Sequence, residues 1–142
     1  MKASVGGITA GYDLFEDKDQ FDVDFLIMGS ADYPIHEAQA IANKLISIAE
    51  QRKDVVAFIS PYRGAFLGGS GATTTLNSAA DITDNVVGYY APITSSSYAV
   101  FDSGYKYMFD RFSDTFRYVP LNGDIAGTCA RNDINNFPWF SP

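Results

Sequence analysis

The sequence predicts an α/β fold: a sheet containing a βαβ unit, with flanking helices and a β-hairpin. Three segments lead there. Phe21–Met28 (FDVDFLIM) alternates Phe21, Val23 and Phe25 with Asp22 and Asp24, then turns continuously apolar, as a strand does on entering a covered sheet. Ile35–Arg52 places Ala38, Ile41, Leu45, Ile48 and Ala49 at helical spacing. Val55–Ser60 (VVAFIS) is a β-rich apolar run closed by Pro61. Strand, helix and strand with short connections imply parallel pairing through a right-handed crossover.

The remaining elements follow in chain order. Met1–Gln20 contains Gly6, Gly7, Gly11 and the acidic run Glu16-Asp17-Lys18-Asp19 without a sustained period. It is expected to be a loop or arm, with residues 21–142 forming the domain. Gly29-Ser30 ends the first strand, and Ser30–Pro34 carries turn and cap residues. Glu37 near the start of the helix, and Arg52 and Lys53 at its end, suit the helix dipole. Tyr62–Ser78, rich in Gly, Ser and Thr, is expected to be a long loop. Asp81–Tyr90 can form a second helix capped by Asp81 or Thr83, with Val86, Val87 and Tyr90 apolar; Gly88 weakens it. Tyr98–Asp102 (YAVFD) and Tyr105–Asp110 (YKYMFD) stand at hairpin spacing across Ser103-Gly104. Phe116–Val119 is a further strand stopped by Pro120. Asn122–Arg131 is expected to be a closely packed helix, with Asp124 near its start and Ala126, Gly127 and Ala130 beside Ile125 and Cys129. Two prolines keep Asn135–Pro142 irregular, although it carries three aromatics.

Composition narrows the function. The 142 residues are 46% hydrophobic and 19% charged, which suits one domain with one core. One cysteine, Cys129, excludes an internal disulfide or a Cys-rich zinc site. A net charge of −7 without a basic stripe argues against a nucleic-acid partner. The longest apolar runs are about five residues, against roughly 20 for a membrane span, so no membrane partner is expected. The amino terminus lacks the apolar stretch of a signal peptide, so the protein is expected to work where it is made or in a particle assembled there. Aromatics make up 15% of the chain, many of them between Tyr89 and Phe140, which points to extensive contact surface in the second half.

Catalytic signatures are weak. His36 is the single histidine and sits in the first turn of a predicted helix, where a surface or cap role suits it. Gly68-Gly69-Ser70-Gly71-Ala72 resembles a nucleophile elbow only loosely, since a loop surrounds Ser70 and the histidine precedes it. No phosphate-binding pattern follows a strand, and the carboxylates from Asp13 to Asp24 lack calcium-loop spacing. Cys129 reads as a packing residue. No catalytic residue, cofactor or metal is assigned.

The segment Ser96–Pro142 carries a resemblance. An aromatic strand (Tyr98-Ala99-Val100-Phe101), an aromatic hairpin, the pair Val119-Pro120, the pattern from Asp124 to Asp133 (DIAGTCARND), and Trp139 ahead of Ser141-Pro142 occur in order. Together they resemble the tail sheath proteins of contractile-tailed bacteriophages of the large myovirus type. Phe21–Ser60 is similar to the central α/β domain of those subunits, called subtilisin-like for its layout. The resemblance implies a structural, non-catalytic subunit of the virion, made in the host cytoplasm. It also implies partners: other subunits in hexameric rings stacked helically, the inner tail tube, and the baseplate that triggers contraction to drive the tube through the host envelope. Tyr105, Tyr107, Phe109, Phe116, Arg131, Trp139 and Phe140 are then the candidate subunit-contact or packing residues. Aromatics on short strands are more often core than interface, and the sequence does not orient their faces. Ala126, Gly127, Ala130 and Arg131 would serve close helix packing and a local ion pair with Asp133. Sheath subunits continue past the Ser-Pro with a domain that exchanges strands between neighbours, so the chain is expected to be a fragment without that exchange. Two other readings stay open: a binding module using the aromatic tail, and a small α/β hydrolase using Ser70 and His36.

Overall fold

In the computed structural model, which describes residues 3–68, 75–137 and 139–141, the chain runs α1 (Val5–Asp13), β1 (Phe25–Ile27), α2 (Ile35–Arg52), β2 (Val56–Ile59), a 3-10 turn (Arg63–Ala65), α3 (Ala79–Tyr90), β3 (Ala99–Phe101), β4 (Tyr105–Asp110), β5 (Thr115–Pro120) and α4 (Asn122–Asn135). It is mixed α/β. Strands β1, β2 and β3 form a parallel sheet with β2 in the centre, pairing Leu26 with Ala57 and Phe58 with Val100. Strands β4 and β5 form a separate antiparallel ribbon.

Strand alternation decides what each face of the sheet meets. Leu26, Met28, Ala57 and Ile59 share a core with Ala38, Ile41, Leu45, Ile48 and Ala49 of α2 and with Tyr89 of α3. Phe58 has the opposite parity and meets Phe25 edge-on, ring centroids 5.2 Å apart. On that side α4 packs against β1 and β2 with Ala126 buried. The sheet is therefore covered on both sides, which explains why β2 is apolar at every position.

The amino-terminal residues, expected to be a loop or arm, instead form α1. Ser4 Oγ accepts from the Gly7 amide at 3.1 Å, and Val5, Ile8 and Tyr12 pack onto the core. Three glycines at about 1 kcal/mol each argue against a helix in isolation, and tertiary burial overrides them. The segment after α1 is tied to the end of α2 by Arg52, whose side chain is 1% exposed. Its guanidinium donates to the Phe15 and Phe21 carbonyls at 2.8 and 2.9 Å and pairs with both Asp54 carboxylate oxygens. Lys44 pairs with Asp13 and with Glu16.

Other boundaries shift for local reasons. Strand β1 is only three residues long, so residues 21–24 precede it. Ser78, not Asp81 or Thr83, caps α3: its Oγ accepts from the Asp81 amide at 3.2 Å and its hydroxyl donates to the Asp81 carboxylate at 2.6 Å. Within the expected long loop, the 3-10 turn and a bridge between Leu67 and Leu76 supply structure. The expected hairpin across Ser103-Gly104 does not form. The edge of β3 is already used by β2, with Ala57 N–H donating to the Tyr98 carbonyl and Asp102 N–H to the Ile59 carbonyl. The partner of β4 is β5, joined by a turn with Asp114 at φ 50°. Helix α4 continues past Arg131 to Asn135.

Candidate assembly surface

The β4–β5 register gives the aromatics an orientation. Tyr105 faces Pro120, Tyr107 faces Tyr118, and Phe109 faces Phe116. With a side-chain period of two, these six residues share one face of the ribbon. Tyr107 lies against both Tyr118 and Phe116, at 4.8 and 5.3 Å between centroids, and Phe109 lies 5.2 Å from Phe116. Charged residues take the other face, where Arg117 pairs with Asp110 at 2.8 Å and Lys106 with Asp124 at 2.7 Å.

The base of this face is anchored and its outer end is bare. The Tyr105 ring packs at a tilt against Phe66, centroids 4.9 Å apart, and its hydroxyl donates to the Pro61 carbonyl at 3.0 Å. Burial pushes that phenol well above its usual range, so it stays protonated and remains a donor. Tyr105 and Tyr118 border the small cluster of Ala65, Phe66 and Leu67. Outward, Phe109 is 45% exposed, and Phe112 at the turn is 97% exposed. Tyr105, Tyr107, Phe109 and Phe116 are candidates on the sequence alone; Tyr118 and Phe112 join them only in the structure. The alternation in YKYMFD and TFRYVP could have found Tyr118.

A polar hub fixes the ribbon to the carboxyl end of the parallel sheet. Ser60 Oγ donates to Asp102 Oδ2 at 2.5 Å, Asn122 N–H donates to Ser60 Oγ at 3.1 Å, and Gly104 N–H donates to Asp102 Oδ1 at 3.1 Å. Tyr90 Oη donates to the Asp102 carbonyl, and Asn122 Nδ2 to the Gly29 carbonyl. Burial raises the Asp102 carboxyl above its ordinary range, against the opposing pull of the Ser60 and Gly104 hydrogen bonds. Gly104 lies close to Leu121: a Cβ there would come 2.7 Å from Cδ1, the tip of that half-buried side chain. No sequence pattern announces this hub, because its members come from five separate segments.

The tail residues form a second aromatic group. Phe137 and Trp139 stack at 4.6 Å, Phe140 lies 6.5 Å from Trp139, and Asn132 Nδ2 holds the Phe140 carbonyl at 2.9 Å. Trp139 is 76% exposed. This group sits beyond the end of α4 while the ribbon joins its start, so a helix of about 20 Å separates them. Arg131 is exposed and makes no ion pair with Asp133 or any other carboxylate among the described residues; its carbonyl accepts from Asn135 Nδ2. Its solvated position offers no burial to hold such a pair. Ala126 is buried as expected, but Gly127 faces open space and packs against nothing.

His36 is exposed in the first turn of α2, Ser70 lies outside the described residues, and Cys129 is half-buried. Among the described residues no three His, Cys, Asp or Glu side chains cluster to hold a metal, and no helix is long and apolar enough to cross a membrane.

Fold and surface together define an α/β unit whose distinctive feature is an exposed aromatic surface. No protein-family model matches the chain. It is 32% identical over 148 aligned positions to the tail sheath protein of Enterobacteria phage T4, covering 99% of this chain and 22% of that protein. It is 32% identical to the tail sheath protein of Vibrio phage KVP40, over 93% of this chain and 21% of the relative, and 33% identical to that of Salmonella phage ViI over 62% of this chain. The chain belongs with the tail sheath proteins of myoviruses, as a segment spanning about a fifth of the length of the curated relatives it matches.

Proposed function

We propose that the chain is a structural segment of a contractile phage tail sheath, whose subunits stack as hexameric rings wound helically around an inner tube. The observation that carries this reading is the match to tail sheath proteins along 99% of the chain. The bare aromatic ribbon supports it, because exposed apolar patches of this kind mark contact sites. In this reading the segment uses no cofactor and catalyses nothing. Its partners are neighbouring subunits and, through the whole subunit, the tube and the baseplate, without nucleic acid or membrane. A sheet covered on both sides by helices suits the subtilisin-like layout expected for the central sheath domain. It also suits contraction, in which rigid units move between two alternative packings and drive the tube through the host envelope.

The test is an immunoblot of purified particles of the phage that encodes the chain, with antibody raised against residues 25–131. An abundant band is expected from the virion. A signal confined to the soluble fraction of infected cells would contradict the sheath reading and favour a free binding module, for which the exposed Phe137 and Trp139 stack would be the contact.

A further inference from the structure

Asn122 is the only asparagine in the chain followed by glycine, the pairing that deamidates most readily because glycine has no Cβ to screen its backbone nitrogen. In that reaction the Gly123 nitrogen gives its proton to solvent base and attacks Asn122 Cγ. A Cγ–N bond forms, the Cγ–Nδ2 bond breaks, and the side-chain nitrogen takes a proton and leaves as ammonia. Water then opens the cyclic imide at either carbonyl. One water is consumed, and the product is an aspartate in the normal or the β-linked form.

The fold leaves the nucleophile open and locks the electrophile. Gly123 is exposed, and a Cβ built on it would meet nothing within 4 Å. Asn122 is 2% exposed. It opens α4, so its backbone is helical, and a helical ψ turns the following nitrogen away from the side-chain carbon. Its backbone N–H donates to Ser60 Oγ at 3.1 Å, and its Nδ2 donates to the Gly29 carbonyl at 2.9 Å. Swinging the side-chain amide toward Gly123 therefore costs a buried hydrogen bond.

We propose that Asn122-Gly123 is a deamidation site held closed by the Ser60–Asp102 hub, and that its conversion, once the hub opens, releases the ribbon irreversibly. The product cannot rebuild the hub. A carboxylate in place of the amide sets oxygen against the Gly29 carbonyl oxygen, so a hydrogen bond becomes a repulsion. It also brings a second carboxylate to the residue whose amide shares Ser60 Oγ with Asp102, and like charges brought together in a buried site oppose one another. The β-linked form lengthens the backbone at the first residue of α4 and draws its amide off Ser60. Gly104 and Asn122 are the two feet of the ribbon on the hub, so both are loosened together. This site lies apart from the aromatic face and does not depend on the sheath reading.

The experiment incubates the 142-residue chain in mildly alkaline buffer and follows the tryptic peptide 118–131 by mass spectrometry against an unincubated control. Conversion in the folded chain should be at least about tenfold slower than in the chain unfolded in urea. Ser60→Ala should speed it about fivefold or more. If Ser60→Ala does not fold, Tyr90→Phe, which removes the hydroxyl holding the Asp102 carbonyl, gives the same reading. Arg52→Ala, which loosens the amino-terminal segment instead, should leave the rate unchanged. Gly123→Ala has room for its methyl group and should keep Asn122 unconverted over the same interval. Converted chain, separated on an anion exchanger by its extra negative charge, should show faster hydrogen exchange in residues 104–121 while α2 is unchanged. Equal rates in folded and unfolded chains, a hub variant no faster than Arg52→Ala, or a converted chain whose ribbon exchanges as before would each overturn the proposal.

Discussion

Ser60 and Asp102, 42 residues apart in sequence, meet at the carboxyl ends of adjacent parallel strands, where the Ser60 hydroxyl donates to the Asp102 carboxylate at 2.5 Å. Both side chains are buried, and the pair also receives the amides of Asn122 and Gly104, which start α4 and the ribbon. This is the joint between the layered α/β body and the aromatic ribbon. Ser60→Ala removes a donor from a buried carboxylate and should cost about 1–3 kcal/mol in urea unfolding.

The same group gives a pH dependence. Burial raises the Asp102 carboxyl above its ordinary range, so the folded chain binds that proton more tightly than the unfolded chain does. Its contribution to stability is fully present below the unfolded carboxylate pKa and is lost as pH rises through the higher folded value. Asp102→Asn keeps an acceptor for Gly104 and has no charge to bury. Across a series of urea midpoints it should gain on the wild-type chain as pH rises through that window. A constant difference at every pH would refute the assignment.

Arg52 should decide whether the amino-terminal segment stays docked. Arg52→Ala leaves the Phe15 and Phe21 carbonyls without their donor and frees Asp54. The expected loss is about 2–3 kcal/mol. Hydrogen exchange should speed up mainly in residues 15–24, before the parallel sheet opens.

Two glycines should respond in opposite directions. Gly104→Ala places a methyl group against the tip of Leu121, which must turn aside, and should destabilise the chain by about 1 kcal/mol. Gly127→Ala enters open space on an exposed helix face and should stabilise it by about 0.5–1 kcal/mol. Thermal unfolding of the two variants reads both signs.

The ribbon should separate stability from contact. Tyr105→Phe removes the bond to Pro61 and should cost about 1 kcal/mol. Tyr105→Ala also loses packing against Phe66 and should cost about 3 kcal/mol. Phe109→Ser, on the bare outer part of the same face, should stay within about 1 kcal/mol in chemical unfolding.

What was legible in the sequence depended on how local its cause was. Helix α2 carries its own period and was delimited at Ile35 and Arg52 as found. The βαβ order followed from short connections, and parallel pairing of β1 with β2 came with it. Helix α1 was missed because its glycines oppose it locally and only its docking on α2 favours it. The hairpin was placed one strand too early because YAVFD and YKYMFD fit the spacing, whereas the free edge of β2 claimed β3. The sequence marks Tyr105, Tyr107, Phe109 and Phe116 as candidates, but their common face emerges only from the β4–β5 register. The Ser60–Asp102 hub had no sequence signature, since residues 42 apart become neighbours only after the sheet forms.

Hydroxyl-radical footprinting of intact phage tails against the isolated chain, read by mass spectrometry, tests most directly whether the ribbon is assembly surface. The account predicts that Tyr107, Phe109, Phe112 and Phe116 are oxidised readily in the isolated chain and strongly protected in tails, while buried Tyr89 is protected in both. Equal labelling of the four ribbon aromatics in tails and in the isolated chain would contradict it.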